Sequence, residues 1–147
     1  MTTATDTNMG KVTPTITVAN RIEQILAERG FIPSHQIRSI TLKDVLVDTV
    51  ATRLCLPANI INDLGLPLQG EADVEIAVGV QKVRIFRKLS ISVAEREGTF
   101  NCIELPEGND PLLGVIPLED LGLEPDLQNQ CLRVLPLSGK DTYLTVL

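Results

Sequence analysis

Val45-Leu46-Val47-Asp48-Thr49-Val50-Ala51-Thr52 is the stretch on which the fold of this chain turns. Three apolar residues, two of them β-branched, run into a carboxylate, a hydroxyl and a small residue. β-branched side chains suit the pleated surface of a strand. Residues 45–49 therefore read as a buried strand that ends in an acid. Acids are seldom left in apolar surroundings without a partner or a task. The pattern makes Asp48 a candidate functional carboxylate, delivered to a rigid place by the strand before it. The structural alternative is that Asp48 and Thr49 simply cap a turn through local hydrogen bonds.

Outward from this stretch, short alternating runs dominate. Residues 1–10 are polar and Thr-rich and read as a disordered tail, which leaves residues 11–147 as a single domain. Residues 12–19 alternate apolar and Thr positions, as a strand does. Asn20 then caps a short helix, with Glu23 three residues on as in a capping box and Gly30 as its stop. Residues 36–42 alternate again. Pro57 suits the first turn of a helix through Leu64, closed by Gly65. Residues 74–78 and 80–86 read as two arms of a hairpin around Gly79, and Leu89, Ile91 and Val93 continue the alternation. Residues 95–98 form a turn, 99–105 a strand and 107–111 a surface loop. Residues 117–121 make a short helix stopped by Gly122, and 131–135 and 142–146 are the last strands. Six to nine strands without βαβ alternation give an all-β, mainly antiparallel domain, a sandwich or a barrel.

Composition excludes several classes. Of the 147 residues 44% are hydrophobic, which is the make-up of a globular chain with a real core. The net charge is -6 and the 13 basic residues form no cluster, so phosphate-led binding of nucleic acid is disfavoured. Cys55, Cys102 and Cys131 are widely spaced, and His35 is the only histidine, so no zinc site is expected. All three cysteines read as small buried apolar residues, their odd number suits a reducing compartment, and His35 reads as a surface loop residue. There is no Gly-rich phosphate loop, and no cofactor or metal is expected. No run reaches the ~18 apolar residues of a membrane helix. The first residues lack a secretory pattern, so a cytoplasmic protein without a membrane partner is expected.

Taken in order, the segments resemble the retropepsin-like aspartic proteases, small β-barrel domains that work as homodimers. The resemblance spans residues 36–136. It starts at Asp48-Thr49-Val50-Ala51, against a family pattern of apolar residues, Asp, Thr or Ser, Gly, Ala. It continues through Leu54-Cys55-Leu56-Pro57, a helix ending Leu64-Gly65-Leu66, and the hairpin around Gly79 where the family has its flap. About 65 residues after Asp48 comes the second signature, Pro111-Leu112-Leu113-Gly114, followed by the leucine-rich Leu118-Glu119-Asp120-Leu121-Gly122-Leu123. The resemblance implies a closed retropepsin-like β-barrel with one or two short helices, half of an acid protease. It implies a homodimer in which Asp48 of each protomer forms the catalytic pair, since the chain carries one such motif and a twofold supplies the second. Thr49 would hydrogen-bond across the twofold, and Ala51 and Thr52 would shape the turn beneath. Val78 and Gly79 would form the flap tip. Leu113 and Gly114 would pack behind the Asp48 loop.

Val50 is the departure that matters, because the family has glycine there. With a positive φ valine would be strained by about 1–3 kcal/mol. With a negative φ its three extra carbons would crowd the acid pair or the substrate path. Two functions follow as expectations. The first is an aspartic endopeptidase acting on a peptide or protein substrate through water held between two Asp48 carboxylates. The second is a catalytically impaired homologue that keeps the dimer and groove to bind peptides or a protein. A purely structural dimer is a third.

Overall fold

In the computed structural model residues 11–76 and 78–136 are described. Ile16–Asn20 (β1) buries Ile16, Val18 and Ala19. Asn20 then caps Arg21–Glu28 (α1), its side chain accepting the Glu23 N–H at 3.0 Å. The expected capping box is half made. The Asn20 N–H goes to the Arg38 carbonyl, and the Glu23 carboxylate holds the Arg38 guanidinium at 2.6 Å instead. Ser39–Leu42 (β2), Leu46–Val47 (β3) and Leu54–Pro57 (β4) follow. Pro57, expected in the first turn, is instead the N-cap of Ala58–Leu64 (α2), and Gly65 closes that helix at φ 66. Leu68–Ile76 (β5) and Gly79–Val93 (β6) form a long hairpin, and Arg96–Leu105 (β7) returns beside β6. Leu112–Leu113 (β8), Val115–Leu121 (α3), Leu123–Asp126 (β9) and Cys131–Val134 (β10) complete the described chain.

The fold is mostly β. Its main sheet runs β2-β1-β6-β7-β4-β8-β3, with β5 paired to β6, while β9 and β10 pair separately. Most pairs are antiparallel; β3 with β8 and β4 with β7 are parallel. The sheet curls into a half-barrel around Ile16, Val18, Leu56, Ile91, Leu113 and Leu118. By its ladders it is open, with β2 and β3 at the two ends, where the sequence led to a closed barrel. Two one-way bonds tie the β3 end to the stretch that precedes β1: the Val45 N–H donates to the Pro14 carbonyl at 3.0 Å and the Val47 N–H to the Val12 carbonyl at 2.9 Å. Pro14 has no N–H to return.

One strand conceals a change of face. Phe86 pairs with Cys102 and Leu89 with Phe100, so β6 fits one extra residue against β7. The bulge falls at Arg87 and Lys88, where Lys88 takes φ 65. As a result Phe86, Leu89, Ile91 and Val93 share the core face, while Val83 and Ile85 lie on the other. The odd-numbered alternation that reads as one continuous face in sequence is in fact two.

Several boundaries move. Residues 36–38 are not strand; Ser34–Gln36 is a 3-10 turn that leaves His35 exposed. The strand expected over 45–49 shrinks to Leu46–Val47, because Asp48 already turns. The turn expected over 95–98 sits at Ala94 and Glu95, with φ 51 and 64, and Arg96 begins β7. β4 was hidden because all four of its residues are buried and no alternation shows. β9, with its two acids and a proline, carries no strand signal either. Among the described residues there are three α-helices, at the three places the sequence patterns gave, where the resemblance implied one or two. Cys55 and Cys102 are buried as expected, but Cys131, on a β10 that meets only β9, is exposed. The expected tail over 1–10 and strand over 142–146 lie outside the described residues.

Candidate functional site

The Asp48 loop is fastened at both ends. β3 runs parallel to β8, and beyond it the Asp48 N–H donates to the Leu113 carbonyl at 3.0 Å. Inside the loop the Val50 N–H donates to Asp48 Oδ1 at 3.0 Å, and the Ala51 N–H to the Asp48 carbonyl at 3.1 Å. The side chain thus closes its own turn. The far end of the loop caps a helix. α3 has no side-chain cap, and its Val115 and Ile116 N–H groups donate to the Ala51 and Thr52 carbonyls, each at 2.9 Å. Two of the helix's orphan donors are satisfied and the loop is pinned by the same bonds.

Gly114 makes this possible. A Cβ there would stand 2.7 Å from the Arg53 nitrogen and 2.8 Å from the Ala51 carbonyl oxygen, and closer still to the Arg53 carbonyl. All three are backbone atoms and cannot swing aside. Its φ of -89 is open to any residue, so the requirement is space. Leu113 beside it is fully buried. Both residues of the second signature therefore sit behind the Asp48 loop.

In front of the loop lies a cleft of about 430 Å³. It is lined by Asp48, Val50, Ala51, Thr52 and Arg53 from the loop, by Val74, Glu75, Gln81 and Val83 of the hairpin, and by Ile103 to Pro106 of β7 and beyond. Val74 and Gln81 are cross-strand partners, so the cleft is lined by the hairpin's inner face. A larger groove of about 600 Å³ lies beyond the Arg84–Glu104 ion pair and shares only Glu104 with this cleft. The smaller cleft is the candidate site, because only it contains the loop carboxylate.

Asp48 is half-buried, while Thr49 and Thr52 are exposed and Val50 is 90% exposed. Val50 is not among the residues with positive φ, so the strained alternative falls away and the isopropyl group stands out at the mouth of the cleft. Val78 is likewise 90% exposed at the hairpin tip. Gly79 takes φ 128, which favours glycine, but it is the first residue of β6, paired with Ile76, and not the centre of the turn. Burial first, and then the Asp48 charge, push the Cys55 thiol above the ordinary range.

Arg53, Gln81, Glu75 and residues 103–106 escaped the sequence. The alternation of 81, 83 and 85 was a usable signal for the hairpin's inner face. Nothing local announces that β7 joins β4 in parallel beside Asp48. No protein-family model matches the chain, and no curated protein matches it. Among the described residues no helix is long and apolar enough to cross a membrane.

Proposed function

We propose that the chain is one half of a dimeric aspartic endopeptidase of the retropepsin type, with Asp48 of each protomer as the catalytic pair. The observation that carries this reading is that a pinned loop carboxylate and the inner face of a long hairpin line one cleft. The exposed Thr49 and Val50 give the loop a free surface on which a second copy would sit. In the dimer the two acids share one proton, since like charges that close do not both ionise. The ionised member takes a proton from the water between them as its oxygen bonds to the peptide carbonyl carbon, and the protonated member gives its proton to the carbonyl oxygen. Collapse of the resulting diol breaks the C–N bond, with a proton passing to the leaving nitrogen.

A second reading is favoured by Val50: a dimer that binds peptides in the cleft without cutting them. The exposed isopropyl group stands where the family's glycine leaves room. Incubation of the protein with a mixed peptide library from acidic to neutral pH separates the two. Cleavage that is fastest at acidic pH, survives a chelator and is abolished in Asp48→Asn supports the peptidase. Cleavage that persists in Asp48→Asn overturns it, and binding without cleavage by both the parent and Val50→Gly leaves the binding module.

A further inference from the structure

The chain has eight arginines, and most are spoken for. Arg21, Arg38, Arg84 and Arg133 pair with Glu28, Glu23, Glu104 and Glu124. Arg96 donates to the Leu121 and Leu135 carbonyls. Arg29 and Arg87 are exposed. Arg53 differs from all of these. It is half-buried, it lines the Asp48 cleft, and among the described residues it forms no ion pair. Its backbone is fixed by the close packing of Gly114 and by the Cys55 thiol on its carbonyl. A guanidinium in that position has five donors with a fixed fork geometry and cannot shed its charge.

The acids around the cleft leave it unanswered. Glu104 is taken by Arg84, which donates two bonds to it at 2.8 and 2.6 Å. Glu75 is exposed on the hairpin, at the same strand period as the exposed Glu71 and Asp73, where water screens it. Asp48 spends one oxygen on the Val50 N–H. The remaining lining is largely aliphatic, from Val74, Val83, Ile103 and Leu105. A peptide with apolar residues and one carboxylate complements this surface.

We propose that Arg53 is a specificity-determining residue, selecting peptides that carry an Asp or Glu side chain close to the bond held over Asp48. The inference rests on the cleft being a peptide groove. The test uses fluorescein-labelled octapeptides of one apolar sequence that differ only in Glu, Gln or Lys at each position flanking the central bond. Their cleavage by the parent and their binding to Asp48→Asn are both measured, with Arg53→Gln, Arg53→Lys and Arg53→Glu in each background. At one position Glu should be preferred over Gln by about tenfold or more, the scale of a charge-assisted bond out of bulk water. Arg53→Gln should erase that preference, Arg53→Lys should keep part of it, and Arg53→Glu should turn it toward Lys. The same preference in binding with no cleavage by any active-site form upholds Arg53 and removes the peptidase reading. Preferences unchanged across the three variants overturn the proposal. So does a weakened dimer in sedimentation with unchanged preference, which makes Arg53 an interface residue, and so does failure to bind any of the peptides. Thermal melts of the variants serve as the folding check, and Arg53→Lys keeps the test decisive if Arg53→Glu melts early.

Discussion

Gly114 and Val50 are a pair of opposites at the level of single residues. Gly114 is a glycine with no room for a side chain, against backbone on three sides. Gly114→Ala should cost about 3 kcal/mol, the upper end for forced overpacking, and should loosen the Asp48 loop; urea unfolding measures the first and any Asp48-dependent activity the second. Val50 is a side chain 90% exposed where it lines the Asp48 cleft, so Val50→Gly should change stability little. It should raise peptidase activity or expose it, in kcat if Val50 disturbs the acid pair and in KM if it blocks substrate. Unchanged activity in an already active parent would show that the loop tolerates a side chain. The cysteines give a third residue-scale outcome. Burial, with smaller contributions from Cys55 and Glu104, raises the Cys102 thiol to about 12, against 9.0 for a free thiol. The unfolded chain therefore ionises first as pH rises. Stability from the neutral thiol is whole below pH 9 and is lost as pH climbs toward 12. Urea midpoints should fall over that range, less so in Cys102→Val. At about pH 8 a disulfide reagent should modify exposed Cys131 first and reach Cys102 only after unfolding.

Among the elements, the β6–β7 turn is where local chemistry and structure disagree most. Ala94 and Glu95 both hold positive φ, at 51 and 64, where a two-residue hairpin prefers Asn-Gly. The long β6–β7 ladder fixes the turn and overrides its residues. Ala94→Asn with Glu95→Gly should therefore stabilise the domain by about 1 kcal/mol, read as a higher melting temperature; a lower one would mean the turn is not under strain. The capping of α1 was legible because Asn20 and Glu23 lie three residues apart. That Glu23 would turn to Arg38 was not, because their meeting depends on β2 folding back along β1.

For the whole molecule the central prediction is the homodimer. Thr49 and Val50 are exposed on the Asp48 loop and Val78 at the hairpin tip, and a single loop offers a single acid. Sedimentation should give a dimer at high micromolar concentration, and a monomer there would remove the acid pair. The sequence by itself determined that the chain is mostly β and that an acid follows an apolar strand; Leu113 and Gly114 were marked only by the resemblance. The first two are readings of period and of β-branching, and they need no knowledge of distant neighbours. Only the tertiary structure decided that Gly114 lies under the Asp48 loop, since its need is for space beside Arg53 and not for a special φ. It alone decided that one alternating strand serves two faces, because an extra residue at Lys88 reverses the side on which every later residue points. And it alone brought Arg53, Gln81 and Ile103 to one cleft, because parallel and long-range pairings join segments that carry no local sign of each other.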